Sequence, residues 1–350
     1  MIAKQWSVIG AGPSGILAVA KLIDSGISPK HISWIDPTFT VGDLSDKWSE
    51  VPSNTIVKLF VDYIKDMQCI NLNLLSQCEL FDLPDNETCY LSNVVTPLQQ
   101  CTQQLKPKVH AIKDNVTHLE LKNRFWHIKL CNRDSPEEIK SNNIILANGA
   151  TPSEFKLNTN AETIPLNIAL SPKKLKNYIK RDDSIAVFGS SHSAILILKN
   201  LVDLNTTQII NFYLSPCQYA LNLGDWTLFD NTGLKGSAAR WAKENIDGQL
   251  PDNLMRIISN EKNINQYLPT CNKIITATGF KANDSIQIKG VNSNHYQPQT
   301  GIIAPGLFGL GIAYPEKTTN DFGIAETKVG LWKFATYLKK ILPIWLKYSA

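Results

Sequence analysis

Near its amino terminus the chain runs Ser7-Val8-Ile9-Gly10-Ala11-Gly12-Pro13-Ser14-Gly15. The short apolar segment from Trp6 to Ile9 predicts a buried parallel strand. The segment from Ser14 to Ser25 has apolar residues at helical spacing, so it predicts a helix directly after the glycines. A strand, a glycine-rich turn and a helix in this order are typical of a nucleotide-binding α/β unit.

The three glycines have the spacing Gly-x-Gly-x-x-Gly. At this spacing Gly10 permits a tight turn, Gly12 lets backbone N–H groups approach a pyrophosphate, and Gly15 lets the helix pack closely on the strand. A second predicted strand, His31 to Ile35, ends at Asp36, where a carboxylate can accept hydrogen bonds from ribose hydroxyls. Together these features predict a bound dinucleotide with its phosphates at the helix N-terminus.

The composition limits the remaining possibilities. The chain has 350 residues, 43% hydrophobic and 19% charged, with a net charge of +4. This length allows two domains, and the small charge gives no reason to expect a nucleic-acid partner. The seven cysteines form no close pair, which argues against a disulfide framework, a zinc site or a redox dithiol. We expect no metal, no signal peptide, no transmembrane segment and a cytoplasmic location.

A second strand–turn–helix unit is predicted in the middle of the chain, after a linker-like segment rich in Pro, Asn and Lys. The strand Ser184 to Phe188 leads into Gly189-Ser190-Ser191-His192-Ser193-Ala194 and a helix. Ser191 stands where a second glycine is usual. The following strand is predicted from Gln208 to Leu214. At its end there is neither an Arg or Lys that would bind a 2′-phosphate nor an acidic residue that would bind a ribose hydroxyl. Three alternatives follow for this site: it prefers NADP through hydroxyl groups, it binds a nicotinamide dinucleotide weakly, or it binds none and serves only in packing. His192 either stacks near a pyrophosphate or caps the helix.

The segments between and after the two motifs also have recognisable patterns. Residues 116–121 and 124–130 alternate as a hairpin. The segment 143–150, a buried strand that ends in a turn containing Gly149, continues it as a meander. Near the carboxyl terminus, Ala277-Thr278-Gly279-Phe280 follows a buried strand, and a glycine-rich strand ends at Gly311. A long helix is expected from Ile324 to Leu342, stopped by Pro343.

These motifs resemble, in order and over nearly the whole chain, the flavin-containing monooxygenases and the related pyridine nucleotide-disulfide oxidoreductases. The resemblance implies an α/β fold with two Rossmann-like domains, the second inserted in the first, and a β-meander crossover. Residues 1–165 and 275–350 would form a discontinuous FAD-binding domain, and residues 166–274 an NAD(P)H-binding domain. In this family the loop through Gly42 and Trp48 leads to an Asn-Thr pair, here Asn54-Thr55, beside the flavin. Trp48 could equally be a half-buried packing aromatic, and Asn54 an Asx-turn residue.

The resemblance also implies the cofactors and an activity. FAD and, less directly, NADPH are expected, with Asn54 as the catalytic residue beside flavin N5 and Thr327 at the N-terminus of the last helix. The activity would be an NADPH-dependent monooxygenation of a small-molecule N or S nucleophile through a C4a-hydroperoxyflavin. The residues expected to contact a cofactor are Gly10, Gly12, Pro13, Ser14, Gly15, Asp36, Pro37, Trp48, Asn54, Val116, Gly149, Gly189, Ser191, His192, Ser193, Gly279, Gly311 and Thr327.

Two other functions remain open. One is an NAD(P)H-dependent reductase that passes electrons from the flavin directly to a quinone, a disulfide or a protein carrier, without a dithiol relay. The other is a low-turnover FAD-binding protein. A homodimer is left open, and the sequence does not name the substrate.

Overall fold

The computed structural model describes residues 4–132, 139–153, 155, 157–224, 226–290, 295–319, 323 and 325–348. The helices are α1 (Pro13–Asp24), α2 (Asp43–Asp46), α3 (Val57–Lys65), α4 (Leu91–Leu105), α5 (Leu166–Ala169), α6 (Pro172–Leu175), α7 (His192–Asp203), α8 (Gly236–Asn245), α9 (Glu261–Tyr267) and α10 (Leu331–Trp345). The strands are β1 (Lys4–Ile9), β2 (Ile32–Ile35), β3 (Pro52–Ile56), β4 (Thr88–Tyr90), β5 (His110–Ile112), β6 (Val116–Lys122), β7 (Phe125–Leu130), β8 (Ile139–Leu146), β9 (Ala150–Pro152), β10 (Glu162–Thr163), β11 (Ser184–Phe188), β12 (Gln208–Tyr213), β13 (Leu221–Asn222), β14 (Thr227–Leu228), β15 (Leu254–Ile258), β16 (Lys273–Thr276), β17 (Phe280–Ala282), β18 (Gln287–Lys289), β19 (Ile302–Ala304), β20 (Leu307–Gly309), β21 (Glu316–Thr319) and β22 (Ala325–Lys328).

The larger sheet is built around β1. Strands β2 and β8 flank β1 in parallel, and β5 extends the sheet beyond β2. Strand β8 pairs antiparallel with β7 through its first half and parallel with β20 through its second half. Strands β6, β7 and β8 form the predicted meander. The carboxyl ends of β1, β2, β8 and β20 therefore meet along one edge, which is where α/β sheets bind ligands.

The second sheet lies between residues 162 and 276. Its order is β10-β16-β11-β12-β15, and every pairing in it is parallel. The predicted strand–turn–helix of the second motif corresponds to β11 and α7. Each sheet thus has a parallel strand, a glycine turn and a helix at its centre, and the α/β class with parallel sheets is confirmed.

Aromatic packing joins the ends of the chain to the first sheet. Trp6 of β1 stacks on Phe308 of β20 with ring centroids 5.8 Å apart, and Phe308 stacks on Trp345 of α10 at 4.7 Å. All three side chains are buried. Each large apolar side chain buried in this way contributes roughly 1.5–3 kcal/mol to folding, so the last helix is part of the core of the larger sheet.

The last helix differs from its prediction at both ends. Residues 325–328 form β22, which pairs with β21 in an antiparallel hairpin, and α10 begins only at Leu331. Ile324, where the helix was expected to begin, lies outside the described residues. Pro343 does not stop the helix, which continues to Trp345. Burial of Trp345 outweighs the single hydrogen bond that a proline removes so close to the helix end.

Candidate functional site

A cavity of about 650 Å³ opens at the carboxyl ends of β1, β2, β8 and β20. Two thirds of the predicted site residues line it, although they come from widely separated parts of the chain. They are Gly10, Gly12, Pro13, Ser14, Asp36, Pro37, Trp48, Asn54, Val116, Gly149, His192 and Ser193. The remaining predicted residues, Gly15, Gly189, Ser191, Gly279, Gly311 and Thr327, are not part of its lining.

The three glycines of the first motif have different physical roles. Gly10 has φ +106°, and a Cβ there would lie 2.3 Å from the carbonyl oxygen of Ala147. A Cβ on Gly15 would lie 1.9 Å from the carbonyl oxygen of Gly10. Gly12 lines the cavity, and the nearest atom to a Cβ there is 3.8 Å away. Gly10 and Gly15 are thus required by the fold, whereas Gly12 leaves an open approach to the backbone.

Asp36 ties the first turn to the second strand. Its buried carboxylate accepts a hydrogen bond from the N–H of Ala11 at 2.7 Å through Oδ2. Through Oδ1 it accepts bonds from the N–H groups of Thr38 and Phe39 at 2.8 and 2.7 Å. The carboxylate therefore shapes the glycine turn itself, and Oδ2 has a second lone pair that can accept a further hydrogen bond.

Asn54 connects the cavity wall to a segment almost 180 residues away. Its Nδ2 donates to the carbonyl oxygen of Gly233 at 3.2 Å, and its Oδ1 accepts from the N–H of Lys235 at 2.9 Å. These long-range bonds use both ends of the amide, so the side chain does not form the Asx turn considered as an alternative. Nearby, Trp48 packs edge-on against Phe280 at 5.7 Å, and both rings line the cavity.

The second motif contributes His192 and Ser193 to the same cavity. Gly189 has φ +133°, and a Cβ there would lie 2.5 Å from the carbonyl oxygen of Ala277. It repeats the steric role of Gly10 in the second sheet. Ser191 is exposed at the N-cap position of α7, with extended backbone and no side-chain capping bond. His192 is the first residue of α7, so the interpretation as a capping residue was wrong.

The imidazole of His192 has one fixed partner and one open position. Its Nε2 lies 3.0 Å from the carbonyl oxygen of Pro52, which can only accept, so Nε2 carries the proton of the neutral ring. Its Nδ1 is buried without a hydrogen-bond partner among the described residues. Nδ1 is therefore an acceptor that a ligand with an N–H or O–H group can satisfy.

Burial lowers the pKa of His192, and the bond to Pro52 opposes this shift. Because the pKa in the folded protein is below the unfolded value of about 6.5, the unfolded state binds more protons as the pH falls through that range. We expect the free energy of unfolding to decrease between pH 7.5 and pH 5.5 more steeply in the wild type than in His192→Gln. Denaturant unfolding at the two pH values tests this, with exposed His31→Gln as control; equal pH dependences of wild type and His192→Gln would contradict it.

Three other predicted residues lie close to the cavity without lining it. A Cβ on Gly311 would lie 2.3 Å from Oγ of Ser14, so Gly311 lets β20 and the start of α1 approach each other. Gly279 has φ +100° beside the lining residue Phe280. Thr327 is paired with Lys317 in the β21–β22 hairpin. The prediction that Thr327 lies at the N-terminus of the last helix was wrong because hairpin pairing holds this segment extended. Val329, Gly330 and Leu331 line the cavity at that point instead.

The curated protein described as monooxygenase AgnR1, from Paecilomyces divaricatus, is 32% identical to this chain over 97% of each protein. The chain belongs to the flavin-containing monooxygenase-like oxidoreductases. It is therefore an enzyme of the oxidoreductase class, as its motifs predicted. No protein-family model matches the chain.

Two solved structures share the fold of this monooxygenase-like chain. Ornithine N-hydroxylase KtzI from Kutzneria sp. 744, described with reduced FAD, NADP+ and L-ornithine, has a TM-score of 0.67 at 11% identity. Bacillithiol disulfide reductase Bdr from Staphylococcus aureus has a TM-score of 0.63, also at 11% identity. Each comparison covers 99% of both chains. At this identity the likeness shows the fold alone. Among the described residues, none of the helices is both long and apolar enough to cross a bilayer.

Proposed function

We propose that this chain is an FAD-dependent monooxygenase reduced by NADPH. The observation that carries the proposal is the first glycine turn. Backbone atoms leave no room for a Cβ at Gly10 or Gly15. At Gly12 there is room, and the N-terminus of α1, which has no side-chain cap, is open to the cavity. A helix N-terminus of this kind favours phosphate through its free N–H groups and its dipole. The cavity, about 650 Å³, is within the ordinary range for bound cofactors and ligands.

The proposed domain arrangement follows the two sheets. Residues 1–165 and 275–350 would bind FAD, and the inserted residues 166–274 would bind NADPH. Contacts between the two parts reach the cavity: His192 from α7 contacts the carbonyl oxygen of Pro52, and Asn54 contacts Gly233 and Lys235. Residues of the inserted part would therefore hold the nicotinamide at the same cavity that would hold the flavin.

Bound FAD would supply the chemistry that accepts the hydride and activates dioxygen. The residues of this chain bind and orient the reactants and exclude water. The N-terminus of α1 would stabilise the diphosphate, and the carboxylate of Asp36 would accept a hydrogen bond from a ribose hydroxyl. The amide of Asn54 is held by two backbone groups at the cavity wall, where it can orient a reacting group. Trp48, Phe280 and Phe334 give that wall an apolar character that limits the access of water.

The proposal is tested on the purified protein in three steps. It should carry one FAD, with the visible spectrum of a flavin, and NADPH should bleach that spectrum under anaerobic conditions. With isotopically labelled dioxygen and a panel of small amines and thioethers, one labelled oxygen should enter the product. A protein that bleaches but passes electrons only to quinones or disulfides would be the reductase. A protein that binds FAD and is not bleached would be the low-turnover binding protein.

Asn54→Ala provides a test of the catalytic role. We expect kcat for oxygen transfer to fall roughly 100-fold, the usual cost of removing one preorganised hydrogen-bonding group, while FAD stays bound. The measurement is product formed per NADPH consumed, and the control is exposed Asn73→Ala. Unchanged kcat in an Asn54→Ala protein that retains FAD would show that Asn54 serves only to hold the segment 233–235.

A further inference from the structure

The second sheet contains an arginine whose position could not be recognised from the sequence. Arg256 lies on β15, which pairs in parallel with β12, and Asn211 is its direct neighbour across the pair. Its Nε donates to Oδ1 of Asn211 at 2.8 Å. Asn211 is fully buried, so this bond fixes the guanidinium in one place.

Asn211 in turn connects Arg256 to the second glycine turn. The Nδ2 of Asn211 donates to the carbonyl oxygens of Val187 and Gly189, at 3.0 and 2.8 Å. The guanidinium also lies over the ring of Tyr213, 4.4 Å from its centroid. Because Tyr213 is the last residue of β12, the cation reaches the carboxyl end of that strand although its own residue lies in the middle of β15.

The guanidinium has hydrogen-bonding capacity left over. Its Nη2 is buried with no partner among the described residues. Two polar groups lie in its neighbourhood. Burial raises the pKa of the Cys217 thiol, although a hydrogen bond from Arg256 opposes this shift. The charged carboxylate of Asp247 accepts a 2.5 Å hydrogen bond from the hydroxyl of Tyr219. Arg256 as a whole is only half-buried, and the planar arrangement of its N–H donors suits a phosphate.

The place of this cation in the sheet indicates which phosphate it meets. The order β15-β12-β11-β16 puts β11 and its glycine turn beside β12, as in other dinucleotide-binding sheets. In such sheets the ribose 2′ position lies at the end of the second strand, here Tyr213. We propose that Arg256 recognises the 2′-phosphate of NADPH and makes the chain selective for NADPH over NADH. This inference rests on the proposed function. It assigns to Arg256 on β15 the role of the cation for the 2′-phosphate, which the sequence does not have at the end of β12.

The experiment compares the wild type with Arg256→Gln and Arg256→Lys, each as FAD-loaded protein. Isothermal titration measures the Kd of adenosine 2′,5′-bisphosphate and of 5′-ADP, and flavin reduction measures KM for NADPH and NADH. In Arg256→Gln the Kd of the bisphosphate and the KM for NADPH should rise roughly ten- to hundredfold, the cost of losing a charge-assisted bond. The values for 5′-ADP and NADH should stay within about twofold. Arg256→Lys should lie between the two proteins because it keeps the charge and loses the fork.

Exposed Arg240→Gln on α8 is the matched control and should leave all four values unchanged. A wild type without preference for the 2′-phosphate would overturn the inference. So would an Arg256→Gln protein that loses both adenosine ligands equally, because Arg256 would then only support Asn211. The FAD content of the same samples separates the two claims. Protein without flavin overturns the proposed function, whereas flavin-loaded protein without 2′-phosphate selectivity overturns only the role of Arg256.

Discussion

Gly15→Ala is expected to yield a protein that is destabilised by about 3 kcal/mol or more and contains no FAD. A Cβ at this position would lie 1.9 Å from the carbonyl oxygen of Gly10, and the obstacle is backbone, not a flexible side chain. Either α1 must move away from β1 or the turn must change shape. Overpacking of this kind usually costs about 1–3 kcal/mol and occasionally more, a large part of a typical total of about 5–15 kcal/mol. Denaturant unfolding and the flavin content of the purified protein measure both effects.

Gly12→Ala is the matched control for this prediction. Gly12 has φ −70°, which alanine adopts freely, and a Cβ there meets no atom closer than 3.8 Å. The variant should therefore fold like the wild type, yet its methyl group would occupy the approach to the cofactor diphosphate and weaken FAD binding. If Gly15→Ala were as stable as Gly12→Ala, the steric account of this turn would be wrong. If Gly12→Ala retained full FAD affinity, the diphosphate would not lie at this turn.

Asp36→Ala is expected to have the second largest effect. The substitution leaves the N–H groups of Ala11, Thr38 and Phe39 without their acceptor, and Ala11 and Phe39 are buried. Each unsatisfied N–H costs about 1–3 kcal/mol, so the free energy of unfolding should fall by about 3 kcal/mol or more. Because Ala11 belongs to the first turn, the Kd of FAD should rise at least roughly 100-fold, a larger change than the loss of one ribose contact explains.

Two further variants separate these contributions. Asp36→Asn keeps the shape and one acceptor oxygen, so it should be less destabilised than Asp36→Ala. Asp43→Asn removes a second carboxylate that lines the cavity but forms only an i,i+4 surface ion pair with Lys47. Pairs of this kind contribute little, so the stability of Asp43→Asn should be that of the wild type. If Asp36→Ala had the stability and the FAD affinity of the wild type, Asp36 would not be needed to shape the turn.

The choice between monooxygenase and reductase depends on side chains and not on the fold. KtzI, an N-hydroxylase, and Bdr, a disulfide reductase, resemble this chain to almost the same degree, with TM-scores of 0.67 and 0.63. The relative that is 32% identical is a monooxygenase, and this favours oxygen transfer. We expect the groups at the cavity wall, above all Asn54 and His192, to make the difference.

Much of the architecture was predictable because it depends on local sequence. The first strand, the glycine turn and α1 were predicted to within a residue or two, since glycine spacing and apolar periodicity act over about 20 residues. The hairpin formed by β6 and β7 was predicted in the same way. The last helix was not, because the pairing of residues 316–319 with 325–328 and the burial of Trp345 are tertiary effects.

The sequence by itself determined that this chain has two strand–glycine turn–helix units and belongs to a flavoprotein-like oxidoreductase fold. Only the tertiary structure decided which residues share a cavity, that Asn54 is held by residues 233–235, and that a cation reaches the end of β12. The physical reason is the parallel sheet. It places β15 directly beside β12 although some 40 residues separate Arg256 from Tyr213 in the sequence. No local sequence pattern indicates that these two strands are neighbours.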